Sequence, residues 1–227
     1  MKISEIFYSV QGEGSLLGVP SVFVRTSGCN LRCSWCDTPY TSWHPEGDIR
    51  STAEVLQSVR EYGCGHVVVT GGEPMIVPEM PAFTHALQDS GMHITIETAG
   101  TVDALVRCDL MSISPKLSNS VPHHRENGKW ADRHNKLRLQ PEILKELTAR
   151  YSFQLKFVVA GPEDLGEIED IVRMTNAPAS QVILMPEGTA PRILTERSRW
   201  LVEICKNKGF RFSPRLHIDL WGQKRGV

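Results

Sequence analysis

Three cysteines lie close together near the start of the chain. Cys29, Cys33 and Cys36 form a C-x3-C-x2-C triplet, so that half of the six cysteines fall within eight residues. Thiolates bind zinc and iron, and a compact set of cysteines in a reducing compartment indicates metal binding before disulfide formation. We therefore predict a metal site at the triplet.

The number of thiolates leaves the kind of metal site open. A structural zinc ion needs four ligands, and His44 is the nearest candidate for the fourth. Iron–sulfur clusters are held by thiolates too, usually four of them. With only three cysteines, one iron keeps an open position, which the amino and carboxylate groups of S-adenosylmethionine can fill.

A second motif follows a short apolar run. Residues 67–70 predict a buried strand, and the sequence Gly71-Gly72-Glu73-Pro74 comes directly after it. Glycines at a strand end permit close approach of the backbone to a ligand, although a Gly-Gly pair alone usually marks only a turn. The Glu73 carboxylate is predicted to accept a charge-assisted hydrogen bond from a ligand ammonium group.

These two motifs together resemble the radical S-adenosylmethionine superfamily. The triplet matches with its spacing and with an aromatic residue, Trp35, before the last cysteine, and residues 71–74 match the motif that contacts the methionyl amino group. The resemblance implies that Cys29, Cys33 and Cys36 hold a [4Fe-4S] cluster. It also implies S-adenosylmethionine as a cofactor.

Further motifs, spread from residue 9 to residue 222, narrow the resemblance to the 7-carboxy-7-deazaguanine synthase family. They are Gln-Gly-Glu-Gly at 11–14, Arg25, Asp-Thr at 37–38, Ile-Glu-Thr-Ala-Gly at 96–100, Ser-Pro-Lys at 114–116 and Leu-His-Ile-Asp-Leu-Trp-Gly at 216–222. The resemblance implies a lyase of queuosine and deazaguanine biosynthesis. Such an enzyme converts 6-carboxy-5,6,7,8-tetrahydropterin to 7-carboxy-7-deazaguanine with loss of ammonia, without an acid or base side chain as catalyst.

The same resemblance implies binding roles for individual residues. Substrate contacts are expected at Val10, Gln11, Gly12, Arg25, Thr70 and His217. Contacts with S-adenosylmethionine are expected at Trp35, Cys36, Asp37, Gly72, Glu73, Ser114, Pro115, Lys116, Met185, Pro186, Glu187 and Gly188. Thr38 is expected to offer its hydroxyl to Mg²⁺, a hard ion that takes oxygen ligands. Arg25 is our candidate for anchoring the substrate carboxylate, because a guanidinium group fixes a carboxylate in orientation.

The chain between these motifs predicts alternating strands and helices. Near-continuous apolar runs at 21–26, 66–70, 93–97, 110–114, 154–159 and 181–185 predict six strands covered on both faces. Helices are predicted at 81–90, 162–175 and 195–208, and after Ser51, where Glu54 completes a capping box. This alternation predicts a parallel sheet in an α/β fold, and six strands are too few for a closed eight-stranded barrel. The resemblance implies a partial (β6/α3) TIM-like barrel of the radical SAM type.

Length, charge and hydropathy exclude several classes of protein. The 227 residues are expected to form a single domain, with a polar insertion at about 117–140 that we interpret as a solvated segment or lid. A net charge of −1 gives no reason to expect nucleic-acid binding. The absence of a long apolar run or a signal-peptide pattern predicts a cytoplasmic protein without a membrane span. Cys64, Cys108 and Cys205 are expected to be small core residues.

Two alternative functions remain at this stage. A glycyl-radical activating enzyme would use the same chemistry on a partner polypeptide, although the Gln-Gly-Glu-Gly motif favours a small pterin. A zinc-holding binding module would use the triplet structurally and the basic C-terminal region as its contact surface. For the favoured function the resemblance also implies a homodimer and an electron donor such as flavodoxin.

Overall fold

The computed structural model describes residues 1–227, and its centre is one nine-stranded sheet. The strands are β1 Lys2–Val10, β2 Pro20–Thr26, β3 Asp48–Ile49, β4 His66–Gly71, β5 His93–Thr98, β6 Leu110–Ile113, β7 Phe153–Val159, β8 Val182–Pro186 and β9 Arg211–Phe212. Their order across the sheet is β3-β1-β2-β4-β5-β6-β7-β8-β9. From β2 to β9 every neighbouring pair is parallel, and β1 joins β2 and β3 antiparallel.

The six strands predicted from apolar runs are β2 and β4 to β8, which form the parallel part of the sheet. Their side chains are buried on both faces, as shown by Val67, Val68 and Val69 of β4, all at most 2% exposed. Burial on both faces explains why these strands read as continuous apolar runs. The curved parallel sheet confirms the predicted α/β fold and partial TIM-like barrel.

Eight α-helices connect or follow the strands of this sheet. They are α1 Pro39–Ser42, α2 Thr52–Glu61, α3 Met80–Asp89, α4 Ala131–Leu137, α5 Pro141–Arg150, α6 Leu165–Thr175, α7 Pro191–Lys208 and α8 Leu216–Trp221. A helix of ten or eleven residues fills four of the five crossovers between the six core strands. The capping box at the start of α2 is present, since the Ser51 hydroxyl and the Glu54 carboxylate each accept from the other residue's backbone N–H.

Local structure differs from the sequence-based expectations in several places. The first strand, β1, mixes polar and apolar residues and is only half-buried, so it lacks the continuous apolar run of the other strands. The predicted helix at 162–175 begins with a 3₁₀ turn before α6. The helix α5 was not predicted; its only local signal is Pro141 at the first helical position.

The insertion at 117–140 is less solvated than its composition predicts. Lys129 and Arg133 are exposed, but Leu117, Ser120 and His134 are at most 1% exposed. The segment forms two 3₁₀ turns and α4 and packs onto the loop that carries the cysteine triplet. It is therefore a cover for that loop, anchored by buried residues.

None of the helices combines the length and the apolar character needed to cross a bilayer. Cys205 belongs to the main hydrophobic core, and Cys64 and Cys108 pack against it, as expected for small apolar side chains.

Candidate functional site

The main cavity opens at the carboxyl ends of the parallel strands. Its volume is about 490 Å³, within the range of roughly 300–1,000 Å³ that small-molecule sites occupy. Core strands contribute to it from their ends: Arg25 from β2, Thr70 from β4, Glu97 from β5, Lys156 from β7 and Met185 from β8. This is the face on which barrels of this kind carry their active sites.

The cysteine triplet forms one wall of this cavity. Cys29, Cys33 and Cys36 all line it, and none of them is in a disulfide. The loop is fixed by its backbone, since the Gly28 carbonyl accepts from the Glu73 N–H at 2.9 Å and the Cys33 carbonyl accepts from the Trp43 indole at 3.0 Å. Burial raises the pKa of Cys29 to about 12, with a further contribution from the nearby Glu73 charge. A bound metal must therefore displace the thiol protons at neutral pH.

The arrangement of the thiols fits an iron–sulfur cluster better than a single zinc ion. No three His, Cys, Asp or Glu side chains converge on one point where a single ion would sit. His44, the candidate fourth zinc ligand, is exposed and lies outside the cavity wall. A cluster requires only one thiolate for each of three irons, and its fourth iron would face the cavity.

The two glycines at the end of β4 pack directly against the end of β2 and the cysteine loop. A Cβ atom on Gly72 would lie 2.1 Å from the Gly28 carbonyl oxygen and 2.8 Å from the Cys29 Cβ. Gly71 has φ +148°, and a Cβ there would meet the Thr26 backbone at 2.3 Å. The pair is therefore required for the close approach of two backbone segments, and both residues also line the cavity.

Gly72→Ala is expected to displace the cysteine loop and to lower the iron content after anaerobic reconstitution to less than about half of wild type, because backbone atoms cannot yield as a side chain can. Gly166→Ala is the matched control, since a Cβ on this helical glycine meets nothing within 4 Å. That variant should bind iron as wild type does. Full iron loading of Gly72→Ala would contradict the prediction.

Glu73 lies behind the cavity wall. Its carboxylate is fully buried and accepts three hydrogen bonds, from the Met75 N–H at 3.0 Å, the Thr98 hydroxyl at 2.8 Å and the Ala99 N–H at 2.8 Å. Burial raises the pKa of Glu73 above its ordinary value, although these donors oppose the shift. Glu73 therefore joins the ends of β4 and β5, and its contact with a ligand ammonium group stays a prediction.

Some of the other residues expected to contact S-adenosylmethionine line the cavity, and some do not. Ser114, Lys116, Met185 and Glu187 line the cavity, as do Trp35, Asp37 and Gly72. Pro115, Pro186 and Gly188 do not line it. Consecutive residues of an extended segment point to opposite sides, so residues next to an inward side chain point away. The contacts of these three residues with S-adenosylmethionine stay predictions.

All the expected substrate contacts line the cavity: Val10, Gln11, Gly12, Arg25, Thr70 and His217. The Arg25 Nε atom donates to the Glu5 carboxylate at 2.6 Å, and its guanidinium group lies 5.7 Å from the centre of the Phe7 ring. The terminal nitrogens of Arg25 bond to no other residue of the chain. The ion pair with Glu5 therefore fixes the side chain and leaves its outer edge for a ligand.

Thr38 lies on the same wall as Cys36. Its hydroxyl is 3.8 Å from the Cys36 sulfur and 3.4 Å from the Thr41 hydroxyl. One neutral hydroxyl fits a Mg²⁺ ion only if other oxygens complete the coordination shell.

A network of charged side chains on the opposite wall was not predicted from the sequence. The Lys156 ammonium group is 2.6 Å from the Glu13 carboxylate and 2.8 Å from that of Glu97. Arg215 continues the network, since it is 3.3 Å from Glu13 and also pairs with Asp37. A lysine inside the apolar run at 154–159 is the one local signal for this network.

The network fixes the charge of its members. Burial alone would raise the pKa of Glu13, but the positive charges of Lys156 and Arg215 hold it far below its ordinary value. Burial lowers the pKa of His217, whose Nε2 lies 4.0 Å from Glu13, so its imidazole is neutral at pH 7. The wall thus presents ionised carboxylates, which accept hydrogen bonds, beside two buried cations.

Comparisons with known proteins agree with this geometry. The model of the radical SAM superfamily matches residues 23–175. A 7-carboxy-7-deazaguanine synthase of Rhodopirellula baltica is 44% identical over 99% of this chain and 88% of its own length, and one of Halobacterium salinarum is 42% identical over 97% and 90%. The crystal structure of QueE from Escherichia coli superposes with a TM-score of 0.70 at 26% identity, covering 95% of this chain and 94% of that one.

Proposed function

The chain belongs to the 7-carboxy-7-deazaguanine synthase family of the radical SAM superfamily, and on this basis we propose that its cavity converts 6-carboxy-5,6,7,8-tetrahydropterin to 7-carboxy-7-deazaguanine with loss of ammonia. The observation that carries the proposal is the meeting of two dissimilar walls in one cavity. The cysteine triplet forms one wall, and the Gln11–Glu13 segment with its buried ion network forms the other.

Residues of the first wall would hold the cofactors. The thiolates of Cys29, Cys33 and Cys36 would bind three irons of a [4Fe-4S] cluster, and Trp35, Asp37, Gly72, Ser114, Lys116, Met185 and Glu187 would surround S-adenosylmethionine. When bound, these cofactors supply the one-electron chemistry that starts the ring contraction. The protein positions the reactants and excludes water. The Lys116 ammonium group is already oriented by two 2.8 Å hydrogen bonds to Ser114.

Residues of the second wall would hold the pterin. The free edge of the Arg25 guanidinium group offers a fork for the substrate carboxylate. The carboxylates of Glu13 and Glu97 can accept hydrogen bonds from N–H groups of the pterin ring. Gln11 is oriented towards the same place, because its side-chain amide donates to Glu97 at 3.2 Å.

The family membership disfavours both alternative functions. A glycyl-radical activating enzyme must admit a polypeptide, whereas the charged network here offers hydrogen-bonding groups for a small polar ring. A zinc module would need a fourth ligand, which His44 does not provide. We further propose that the protein acts in the cytoplasm as a homodimer in queuosine or related deazaguanine biosynthesis, with an external electron donor such as flavodoxin.

We expect Mg²⁺ to bind tightly only when the substrate is present. Thr38 offers one neutral hydroxyl, so substrate carboxylate oxygens and water must complete the shell, and the Kd for Mg²⁺ should fall by about tenfold or more on adding substrate. Isothermal titration calorimetry with and without the pterin measures this change. Equal affinity in the two titrations would show that the chain alone forms the site.

Anaerobic reconstitution tests the proposed function. The iron-loaded protein, supplied with dithionite, S-adenosylmethionine, Mg²⁺ and 6-carboxy-5,6,7,8-tetrahydropterin, should yield 7-carboxy-7-deazaguanine by mass spectrometry. Cys33→Ala should form no product, whereas Cys64→Ala, which changes a cysteine outside the triplet, should retain it. Absence of product from iron-loaded wild type, or colourless protein with stoichiometric zinc, would contradict the proposal.

A further inference from the structure

The insertion is joined to the cysteine loop by hydrogen bonds on the side away from the cavity. The Arg32 N–H donates to the His134 Nδ1 atom at 3.0 Å, and the Ser34 N–H donates to the Ser120 carbonyl at 2.8 Å. Ser120 and His134 are both buried, so this contact belongs to the folded core of the insertion. The outer surface of the insertion therefore lies directly over the loop that would carry the cluster.

Three cations surround one indole on that outer surface. The guanidinium carbon of Arg32 lies 4.9 Å from the centre of the Trp130 ring, the Lys129 ammonium group 5.5 Å and the Arg133 guanidinium carbon 5.7 Å. Arg32 itself lies between Cys29 and Cys33 in the sequence. We call the surface formed by Arg32, Lys129, Trp130 and Arg133 the basic face.

The cations of the basic face have no acidic partner in the chain. Arg32, Lys129 and Arg133 lie beyond 4.0 Å from every carboxylate, whereas Arg138 nearby is paired with Glu167. The acidic residues of the insertion are Glu126, which accepts from the Trp130 indole at 2.9 Å, and Asp132. Five Lys or Arg residues face these two acids within 117–140, so the region is positive on a chain whose net charge is −1.

A second stack of a cation on an indole joins the insertion to the cysteine loop. The Arg125 guanidinium carbon lies 3.8 Å from the centre of the Trp43 ring. The Trp43 indole in turn donates to the carbonyl oxygen of Cys33 at 3.0 Å. Cations and indoles thus connect the insertion with the cysteine loop at two places, at Trp130 next to Arg32 and at Trp43 next to Arg125.

We propose that the basic face is the docking surface for an acidic protein that donates one electron. The inference rests on the proposed function, in which the cluster held by Cys29, Cys33 and Cys36 must be reduced by one electron before the ring contraction can start. The donor's flavin or iron–sulfur group gives up one electron and is oxidised by one, and the cluster is reduced by one. Unpaired cations attract an acidic partner, and complementary charge raises the rate of encounter.

The geometry favours a protein donor over a nucleic acid at the basic face. Cations next to an aromatic ring also suit nucleic acids, but binding of a single strand depends on bases that stack on an open ring. Arg32, Lys129 and Arg133 already surround the ring of Trp130. Arg32 lies inside the triplet, so the basic face is directly next to the loop that would hold the cluster. A protein that delivers an electron to the cluster explains this proximity, whereas a nucleic-acid contact does not.

Charge reversal at two exposed positions tests the proposal. Lys129→Glu/Arg133→Glu is compared with Arg60→Glu/Arg107→Glu, which makes the same change of charge at exposed, unpaired arginines outside the insertion. Binding of oxidised flavodoxin to each holoenzyme is measured by surface plasmon resonance at two salt concentrations. Stopped-flow bleaching of the cluster absorbance then gives the rates of reduction by reduced flavodoxin and by dithionite.

We expect the Kd for flavodoxin to rise, and the second-order rate of reduction by it to fall, by about tenfold or more in Lys129→Glu/Arg133→Glu. The rate at which dithionite reduces this variant should stay at the wild-type value. The control variant should keep the wild-type Kd for flavodoxin and the wild-type rate of reduction by flavodoxin. Unchanged flavodoxin binding and reduction in Lys129→Glu/Arg133→Glu would overturn the proposal, as would an equal loss in the control.

Two further outcomes have separate uses. The first identifies the partner of the basic face, and the second distinguishes failure of the proposed function from failure of the docking proposal. If the charge reversal abolishes binding of tRNA in a gel-shift assay but leaves the flavodoxin constants unchanged, the basic face is a nucleic-acid surface and the proposal is wrong. If dithionite-driven turnover of wild type yields no deazaguanine, the proposed function fails, and the binding comparison still decides whether the basic face receives an acidic protein.

Discussion

Lys156→Met is expected to lower the free energy of unfolding by about 3–5 kcal/mol, because it leaves the largely buried Glu97 carboxylate without a cation and Glu13 with Arg215 alone. The Lys156 side chain is 4% exposed, and it bonds to both Glu13 and Glu97. Methionine fills nearly the same volume, so the loss measures the missing charge more than a cavity. Denaturant unfolding of the cluster-free protein under anaerobic conditions, followed by circular dichroism, gives the value.

Lys206→Met is the matched control, since it removes the same group from an exposed pair with Glu203 on α7. That pair is more than 60% exposed on both sides, and such pairs contribute at most about 1 kcal/mol. Equal losses in the two variants would show that the buried network adds no stability beyond an ordinary surface pair.

The deficit of Lys156→Met should also shrink as the pH falls below about 4.5. In wild type the depressed pKa of Glu13 means that its ion pairs stabilise the fold above its unfolded pKa of about 4.5 and that this contribution is lost progressively below it. Without Lys156 the burial of Glu13 is opposed by Arg215 alone, so its pKa is less depressed and the variant has less of this contribution to lose in acid. A deficit that does not change over this pH range would contradict the electrostatic origin of the loss.

Arg25→Lys is expected to lower kcat/KM by about 100-fold while the cluster is retained, because misplacement of a bound substrate by even about 1 Å has effects of this size. Lysine can keep the ion pair with Glu5 or reach towards a carboxylate, but a single ammonium group cannot do both in the fixed geometry of a guanidinium group. Steady-state kinetics and the iron content of the same preparation measure the two properties.

Arg150→Lys is the control for this substitution, since Arg150 makes a comparable ion pair with Asp103 on the surface, away from the cavity. It should leave kcat/KM unchanged. Wild-type turnover of Arg25→Lys would remove Arg25 from the set of substrate contacts, and loss of iron from it would show that the residue acts on the structure of the site.

The parts of the site that were predictable are those encoded over a few neighbouring residues. The cysteine triplet and the glycines of 71–72 carry their meaning in their spacing, and the structure places them against each other. Pro115 and Pro186 lie inside or beside such motifs but do not line the cavity, so their contacts with S-adenosylmethionine stay predictions.

The less predictable parts depend on contacts between distant segments. The Glu73 carboxylate accepts hydrogen bonds from Thr98 and Ala99 at the end of β5, and no local sequence pattern predicts these contacts. Lys156 and Arg215 form ion pairs with Glu13 only in the folded chain, because both are far from it in the sequence. In the same way, the composition of the insertion predicts solvent exposure. The burial of His134 depends instead on its contact with the cysteine loop, where the Arg32 N–H donates to its ring.

The ion network also bears on the order in which the chain folds. Lys156 and Glu13 are 143 residues apart in the sequence, and Arg215 and Glu13 are 202 residues apart. Closing such long loops costs entropy that local contacts do not, so we expect these pairs to form late. The cysteine loop is held by the nearby end of β4 and by the insertion, whose hydrogen bond from Arg32 to His134 spans 102 residues. A nascent chain would therefore complete the wall that receives iron before the wall that receives the pterin.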